Sequence, residues 1–207
     1  MNIVVFGAGG RAGRQVVAEA RRRGHRVTAV VRDPARHRGL DDTRMVAGDV
    51  TDAASIAKAA TGHDAAVSAA VDLSAPPHDF FTASSRALAT GLAKAGVRRL
   101  VVVGLASIMP GASGAALMDE PGYPNEYRSF YLGHAAGLEE LRSCDLDWAY
   151  LAPAGDFDHD GTRTGHYRLA DHGEAASRIS YADFAIAVLD EIEAPRHHRA
   201  AASVREV

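Results

Sequence analysis

Three glycines near the start of the chain, Gly7, Gly10 and Gly13, are spaced three residues apart. They separate a short apolar run at 3–6 from a segment of helical periodicity that begins at position 11. In this context the first glycine permits a sharp turn, the second lets a pyrophosphate approach the backbone, and the third lets helix and strand pack closely. Backbone N–H groups and the positive end of the helix dipole then face the anion. The spacing predicts a dinucleotide site, and a glycine-rich turn without a ligand is the alternative.

The residue after the second apolar run indicates which dinucleotide is bound. That run, 27–31, ends in Arg32, and Arg11 begins the facing helical segment. A carboxylate at this strand end suits a ribose 2′-hydroxyl, whereas arginine suits a 2′-phosphate. The two arginines therefore predict NADP, with NADPH preferred over NADH. The alternative is that Arg32 is solvated and Asp33 turns towards the ribose.

Two further pairs of residues are expected to contact the same cofactor. Gly9 and Ala12 lie within the glycine loop, and Asp49 and Val50 follow the third apolar run. Asp49 is placed to accept a hydrogen bond from the exocyclic amine of adenine. It also lies near the start of the helix expected around Asp52, and the two roles are compatible.

The elements that must position these residues alternate along the chain. Six short, continuous apolar runs are typical of strands buried on both faces of a parallel sheet, at 3–6, 27–31, 45–47, 65–69, 100–104 and 148–151. Helical periodicity predicts helices at 11–23, 53–60, 79–95 and 125–143. Strand followed by helix, repeated, predicts an α/β fold, a Rossmann-like doubly wound parallel sheet flanked by helices.

The last quarter of the chain follows a different pattern. A polar, glycine-rich stretch begins at position 154 and precedes a predicted helix at 181–193 and a final apolar run at 200–204. We expect residues 154–207 to form a small elaboration on the substrate side. A length of 207 residues fits one domain, so 1–207 is predicted to be a single NAD(P)-binding domain.

Composition excludes several classes of partner. A net charge of -3 provides no general attraction to nucleic acid or anionic membranes. The uncharged run 100–118 contains glycines and a proline, so a buried strand and a loop are favoured over a membrane helix. The ten histidines and the acidic loop at 156–161 lack metal-ligand spacing, and no metal site is expected. A single cysteine, Cys144, and the absence of a leader predict a cytoplasmic protein. A monomer or a homodimer is expected.

Blocks spread over nearly the whole chain carry a resemblance to a known family. They are residues 30–34, 48–52, 146–154, 163–168 and 177–185. With the glycine loop, they resemble the NAD(P)H-binding atypical short-chain dehydrogenases/reductases, in particular the NADH-flavin reductases and, more distantly, biliverdin IXβ/flavin reductase. The resemblance implies NAD(P)H held over a shallow pocket, with a small-molecule acceptor such as FMN, FAD, a quinone or a similar conjugated compound.

The same resemblance implies positions around the nicotinamide. Ala69 and Ala70, after the fourth strand, would line the nicotinamide side together with the turn at Pro153 and Ala154. Ser107, after the fifth strand, would lie near the reacting ring.

The distribution of lysine excludes one mechanism. Ordinary short-chain dehydrogenases protonate a carbonyl with a tyrosine whose pKa is lowered by a lysine four residues later. Tyr123, Tyr127 and Tyr131 lie in the right region, but no lysine follows Lys94. Hydride transfer to a flavin or quinone needs less help, because the acceptor is already a good electron sink. The missing lysine therefore favours a conjugated acceptor over a simple ketone.

One helical face offers candidate proton donors. Tyr127, Tyr131 and His134 fall at i, i+4 and i+7 of the predicted helix 125–143. If that face borders the nicotinamide, Tyr131 or His134 could supply the proton. The alternative is a packed aromatic face with a satisfied histidine.

Two other functions fit the same sequence. One is a non-catalytic NADP-sensing regulator of the NmrA type, which binds the nucleotide and contacts a partner protein. The other is a biosynthetic tailoring enzyme that uses the scaffold on a specialised substrate.

Overall fold

The computed structural model describes residues 1–37, 40, 43–170 and 172–207. Its strands are β1 (Asn2–Phe6), β2 (Arg26–Val31), β3 (Arg44–Ala47), β4 (Ala65–Ser68), β5 (Arg99–Val103), β6 (Asp147–Pro153), β7 (Asp156–Asp158), β8 (Arg168–Ala170), β9 (Arg178–Ser180) and β10 (Ala200–Arg205). Eight of them form a sheet in the order β3-β2-β1-β4-β5-β6-β10-β8. Every neighbouring pair in it is parallel except β10 and β8. A separate parallel pair is made by β7 and β9.

Helices cover both faces of the sheet. They are α1 (Arg11–Arg22), α2 (Ala53–Ala60), α3 (Pro77–Ala95), α4 (Arg128–Arg142) and α5 (Tyr181–Glu193). One core cluster packs α1 and α5 against the sheet, and another packs α2, α3 and α4 against the opposite face. Successive side chains of β1 point to opposite faces of the sheet. Ile3 and Val5 therefore belong to the first cluster, and Val4 and Phe6 belong to the second. The predicted Rossmann-like fold is confirmed.

The start of α4 differs from the prediction. The helix begins at Arg128, and Tyr127 is its N-cap residue. The backbone N–H of Arg128 donates to the carbonyl of Asn125, which makes a turn rather than a helix at 125–127. The Arg128 side chain also donates to the carbonyl of Met118 at 2.8 Å. Helical spacing alone could not show this tertiary anchor, which fixes where the helix starts.

Among the described residues, no helix combines the length and the apolar character needed to cross a bilayer. Those residues also contain no group of three or more His, Cys, Asp or Glu side chains that could hold a metal ion.

A buried carboxylate joins the glycine-rich stretch to α5. Asp183 accepts hydrogen bonds from the backbone N–H groups of Thr164 and Gly165 and from the hydroxyls of Thr164 and Ser180. Burial by itself would raise the pKa of Asp183, but these hydrogen bonds outweigh it and hold the pKa below its ordinary value. The segment that follows β7 is therefore anchored by one ionised side chain.

Asp183→Asn is expected to destabilise the protein by about 2 kcal/mol at pH 7, because the amide cannot accept all of these hydrogen bonds. The folded pKa is depressed, so the contribution is fully present above the unfolded pKa of about 3.9 and is lost as pH falls through the folded value. Urea unfolding at pH 7 and at pH 3 measures the difference. Asp156→Asn, at an exposed carboxylate of the same region, is the control. A gap between wild type and Asp183→Asn that widens at pH 3 would contradict this assignment.

Candidate functional site

A cavity of about 400 Å³ opens at the carboxyl ends of β1, β2, β3 and β4. Eight of the residues predicted at the cofactor line it, namely Gly7, Gly9, Gly10, Arg32, Asp49, Val50, Ala69 and Ala70. A larger cavity of about 560 Å³ lies at the amino ends of β1, β2 and β3, and none of the predicted site residues line it. Parallel sheets bind ligands beyond the carboxyl ends of their strands, which favours the first cavity as the functional site.

Close packing of the backbone explains two of the three glycines that are spaced three residues apart. Gly7 has a φ of +74°, and a Cβ there would lie 2.6 Å from the backbone of Ala69. A Cβ on Gly13 would lie 2.2 Å from the carbonyl oxygen of Gly7. At Gly10 the nearest atom to a Cβ would be 3.4 Å away, an ordinary contact. The protein itself therefore does not require glycine at position 10, and the free space there faces the cavity.

The electrostatics of the loop suit an anion. Gly10 is the N-cap of α1 and makes no side-chain capping hydrogen bond, and the first turn holds no acidic residue. The positive end of the helix dipole is therefore not neutralised by the helix itself. The Arg14 guanidinium donates to the carbonyl of Gly9 at 2.9 Å and steadies the loop. The uncapped N-terminus of α1 and the space above Gly10 fit a pyrophosphate.

The two arginines predicted at one phosphate occupy different places. Arg32 lines the cavity and forms an ion pair with Asp72. Arg11 contacts the imidazole of His159, which follows β7, and does not line the cavity. The contact with His159 joins the segment after β7 to the start of α1. Of the two, only Arg32 is placed at the cavity.

The carboxylate of Asp49 makes a local turn beside the cavity. Its Oδ1 accepts from the backbone N–H of Thr51 at 2.8 Å and from the Thr51 hydroxyl at 2.7 Å. Capping of α2 is done by Asp52, which accepts from Ala54 at 2.9 Å. Asp49 thus supports the loop after β3 and leaves its second carboxylate oxygen for a ligand at the cavity.

Several residues of the cavity lining were not predicted from the sequence. Among them are His37, whose ring lies directly on Gly9, Asp72 in the loop after β4, and Phe80 on α3. His37 and Asp72 lie in irregular segments whose course no periodicity reveals. Phe80 belongs to a predicted helix, but its helical spacing could not distinguish a core position from a cavity wall.

A hydroxyl cluster lies beyond the carboxyl end of β5, the strand next to β4. The Ser107 and Tyr123 hydroxyls are 2.9 Å apart, and the Tyr123 and Tyr131 rings meet edge to face at 5.9 Å. Burial raises the pKa of Tyr131, and the nearby Tyr123 adds to this effect, while the Ser107 hydroxyl lowers it. Two predicted catalytic residues, Ser107 and Tyr131, are therefore brought together, with Tyr123 as an added member.

His134 belongs to the packed core. Its ring centroid lies 3.9 Å from that of Phe81 and 5.0 Å from that of Phe130. Its Nδ1 is 2.9 Å from the Tyr150 hydroxyl oxygen. Burial lowers the pKa of His134 to about 3, so the ring is neutral near pH 7. Tyr127, by contrast, is 61% exposed. The face predicted from spacing is split, and His134 matches the packed alternative.

Tyr150 connects that core to the hydroxyl cluster. Its hydroxyl accepts from the backbone N–H of Leu105 at 3.0 Å, and its ring fills the space beside Gly104. His134 and Tyr150 therefore hold the turn that leads from β5 to Ser107. This positioning role depends on the contact between His134 on α4 and Tyr150 on β6, which local sequence patterns do not encode.

The turn at Pro153 and Ala154 is buried at the carboxyl end of β6. Ala154 donates to the carbonyl of Val204 at 2.7 Å and accepts from the N–H of Glu174 at 2.6 Å. It lies at the same sheet edge as the cavity without lining it. Ala12 is half-buried in the first turn of α1 and also lies outside the lining.

Comparison with known proteins gives one family and several relatives over the full length. A family model described as NAD(P)H-binding matches residues 7–195. An uncharacterized Bacillus subtilis protein, YwnB, is 37% identical over 205 residues, which are 95% of this chain and 94% of the relative.

Solved structures of similar proteins share the fold. A Burkholderia pseudomallei protein, provisionally named as exported, has a TM-score of 0.87 and 38% identity, covering 99% of each chain. A Streptococcus pneumoniae protein with the provisional name NADH-flavin reductase has a TM-score of 0.87 and 32% identity, covering 100% of each chain.

Proposed function

This chain belongs to the NAD(P)H-binding family, as the resemblance predicted, and from that premise we propose that it is an NADPH-dependent oxidoreductase that transfers hydride to a flavin, quinone or similar conjugated acceptor. The observation that carries the proposal is the cavity in which the glycine loop, the free N-terminus of α1 and Arg32 converge. The Streptococcus pneumoniae relative, by its provisional name an NADH-flavin reductase, supports a reductase.

Different residues at the carboxyl ends of the strands contact different parts of the cofactor. NADPH, when bound, supplies the hydride. The glycine loop holds the pyrophosphate, Arg32 and Asp49 hold the adenosine end, and Ala69 and Ala70 leave room beside β4. The protein mainly has to align an acceptor that is itself an electron sink. The Ser107 hydroxyl cluster, beyond the carboxyl end of the neighbouring strand β5, offers hydroxyls that can donate hydrogen bonds to the acceptor.

Turnover is tested by following the absorbance of reduced nicotinamide with FMN, FAD, menadione and a panel of ketones. We expect oxidation by the conjugated acceptors and none by the ketones, because no lysine stands four residues after a tyrosine in this region. Tight NADPH binding without oxidation by any acceptor would favour an NADP-sensing regulator of the NmrA type. Product from a dedicated substrate without loss of NADPH would favour a tailoring enzyme.

Replacing Arg32 with glutamine is expected to weaken NADPH binding about 10-fold or more and to change NADH binding little, because only NADPH presents a 2′-phosphate to a guanidinium. Equilibrium binding of both cofactors measures the ratio. Arg36→Gln, which removes an exposed arginine four residues later that does not line the cavity, is the matched control. Wild-type protein that binds NADPH no more tightly than NADH would refute the preference.

His134→Ala is expected to leave the shape of the pH profile of turnover between pH 6 and pH 8 unchanged. The pKa of His134 is lowered to about 3, so the side chain does not titrate in that range. The packing loss should instead appear as lower stability, by about 2 to 3 kcal/mol. Single-turnover rates across the pH range test this, with Tyr131→Phe measured in parallel. A wild-type ionisation that disappears in His134→Ala would restore His134 as a proton donor.

We also propose that 1–207 acts as a single domain in the cytoplasm, as a monomer or homodimer, on a small-molecule acceptor without nucleic-acid or membrane partners. The lone Cys144, which excludes an internal disulfide, supports a reducing compartment.

A further inference from the structure

Arg32 and Asp72 form an ion pair in the lining of the cofactor cavity. Arg32 follows β2 and Asp72 lies in the loop after β4, and these two strands flank β1 on either side. The pair therefore spans the carboxyl end of β1, where the glycine loop lies. Both side chains line the cavity. A dinucleotide that places its adenosine ribose at Arg32 also meets Asp72.

The two partners are held to different degrees. Asp72 accepts hydrogen bonds at Oδ1 from the backbone N–H of Ser74 at 3.0 Å and from the Ser74 hydroxyl at 2.6 Å, which leaves Oδ2 for Arg32. Its side chain is 18% exposed, whereas that of Arg32 is 67% exposed. Asp72 is thus a fixed carboxylate, and Arg32 is a solvated side chain that can exchange partners at low cost.

The hydrogen bonds from Ser74, together with Arg32, hold the pKa of Asp72 below its ordinary value, so the group is an anion near neutral pH. A 2′-phosphate at Arg32 would have to compete with this carboxylate for the guanidinium and would also lie close to a like charge. A ribose 2′-hydroxyl carries no charge and can donate to a carboxylate. Asp72 therefore disfavours the binding of NADPH and does not disfavour the binding of NADH to the same extent.

We propose that Asp72 is a specificity-determining residue that limits the preference for NADPH over NADH by sharing Arg32 with the 2′-phosphate. This inference rests on the proposed function, since it assumes that the cavity binds a nicotinamide dinucleotide. Arg32 attracts the phosphate, and the fixed carboxylate opposite sets how far that attraction discriminates between the two cofactors.

The test is equilibrium binding of NADPH and NADH, by isothermal titration, to the full chain as wild type, Asp72→Asn, Arg32→Gln and the double variant. We expect Asp72→Asn to tighten NADPH binding about fivefold and to change NADH binding by less than about twofold. In the Arg32→Gln background the gain should shrink to less than about twofold, because no guanidinium is left to release. The ratio of the two affinities on one preparation is independent of any fraction that fails to fold.

Asp79→Asn is the matched control. It removes the same charge from the same cavity, but Asp79 lies beside His78 rather than Arg32. An equal gain in NADPH affinity from Asp79→Asn would overturn the inference in favour of a general charge effect. Equal weakening of both cofactors by Asp72→Asn would overturn it in favour of a scaffold role. Wild-type protein that binds neither cofactor would instead overturn the proposed function itself.

Discussion

Gly13→Ala is expected to destabilise the protein by about 3 kcal/mol and to abolish detectable NADPH binding. The added Cβ would lie 2.2 Å from the carbonyl oxygen of Gly7 and 2.9 Å from the Cα of Ala8. Both neighbours are backbone atoms of the glycine loop, so relief requires α1 to move away from β1. That movement would also displace the N-terminus of α1, on which the proposed pyrophosphate site depends.

Gly10→Ala separates the two effects. Gly10 has a φ of -76°, which alanine adopts freely, and its Cβ would meet only an ordinary contact at 3.4 Å. We therefore expect wild-type stability within about 0.5 kcal/mol and NADPH binding weakened about 10-fold or more, because the methyl group would project where the phosphate approaches. Urea unfolding and NADPH titration measure both quantities. Wild-type stability in Gly13→Ala would contradict the packing role, and unchanged binding in Gly10→Ala would contradict the phosphate position.

Glu191→Gln is expected to cost about 3 to 5 kcal/mol of stability, the range for breaking a buried ion pair. The Glu191 carboxylate lies 2.9 Å from the Arg99 guanidinium and also accepts from the backbone N–H groups of Arg196 and His197. The side chains of Arg99 and Glu191 are only 9% and 4% exposed. Loss of the charge would leave the buried Arg99 guanidinium with the carboxylate of Asp147, 3.2 Å away and 31% exposed, as its remaining ion-pair partner among the described residues.

The exposed pair Arg86 and Glu140 is a matched control for the buried pair. It has two-point geometry at 2.8 Å, but the Arg86 side chain is 67% exposed. Glu140→Gln should therefore cost no more than about 1 kcal/mol. Chemical unfolding of both variants at pH 7 tests the contrast. Equal losses of stability would mean that burial does not determine the strength of the Arg99 pair.

Much of the fold was predictable from local patterns. Buried parallel strands need continuous apolar runs, and amphipathic helices need apolar residues at 3.6-residue spacing, so the bounds of α2 and α5 agree with their predicted ranges. The glycine spacing likewise indicated the cavity, because a glycine loop between a strand and a helix is the usual place for a pyrophosphate. Eight residues predicted at the cofactor line that one cavity.

Other parts of the candidate site were not predictable from these patterns. His134 and Tyr131 share a helix, but whether each faces a core or a ligand edge depends on what α4 packs against. Burial against Phe81 and the contact with Tyr150 make His134 a core residue. Helical spacing shows which residues share a face and does not show what covers that face.

The sequence by itself therefore determined the fold class and the position of the candidate cofactor cavity, because both depend on residue types at short, regular spacing. Only the tertiary structure decided which side chains the two arginines contact. Arg32 contacts Asp72, 40 residues away, and Arg11 contacts His159, 148 residues away. Such pairs depend on strand order and on how irregular loops close over the sheet. Many long-range contacts together determine those features, and no single segment encodes them.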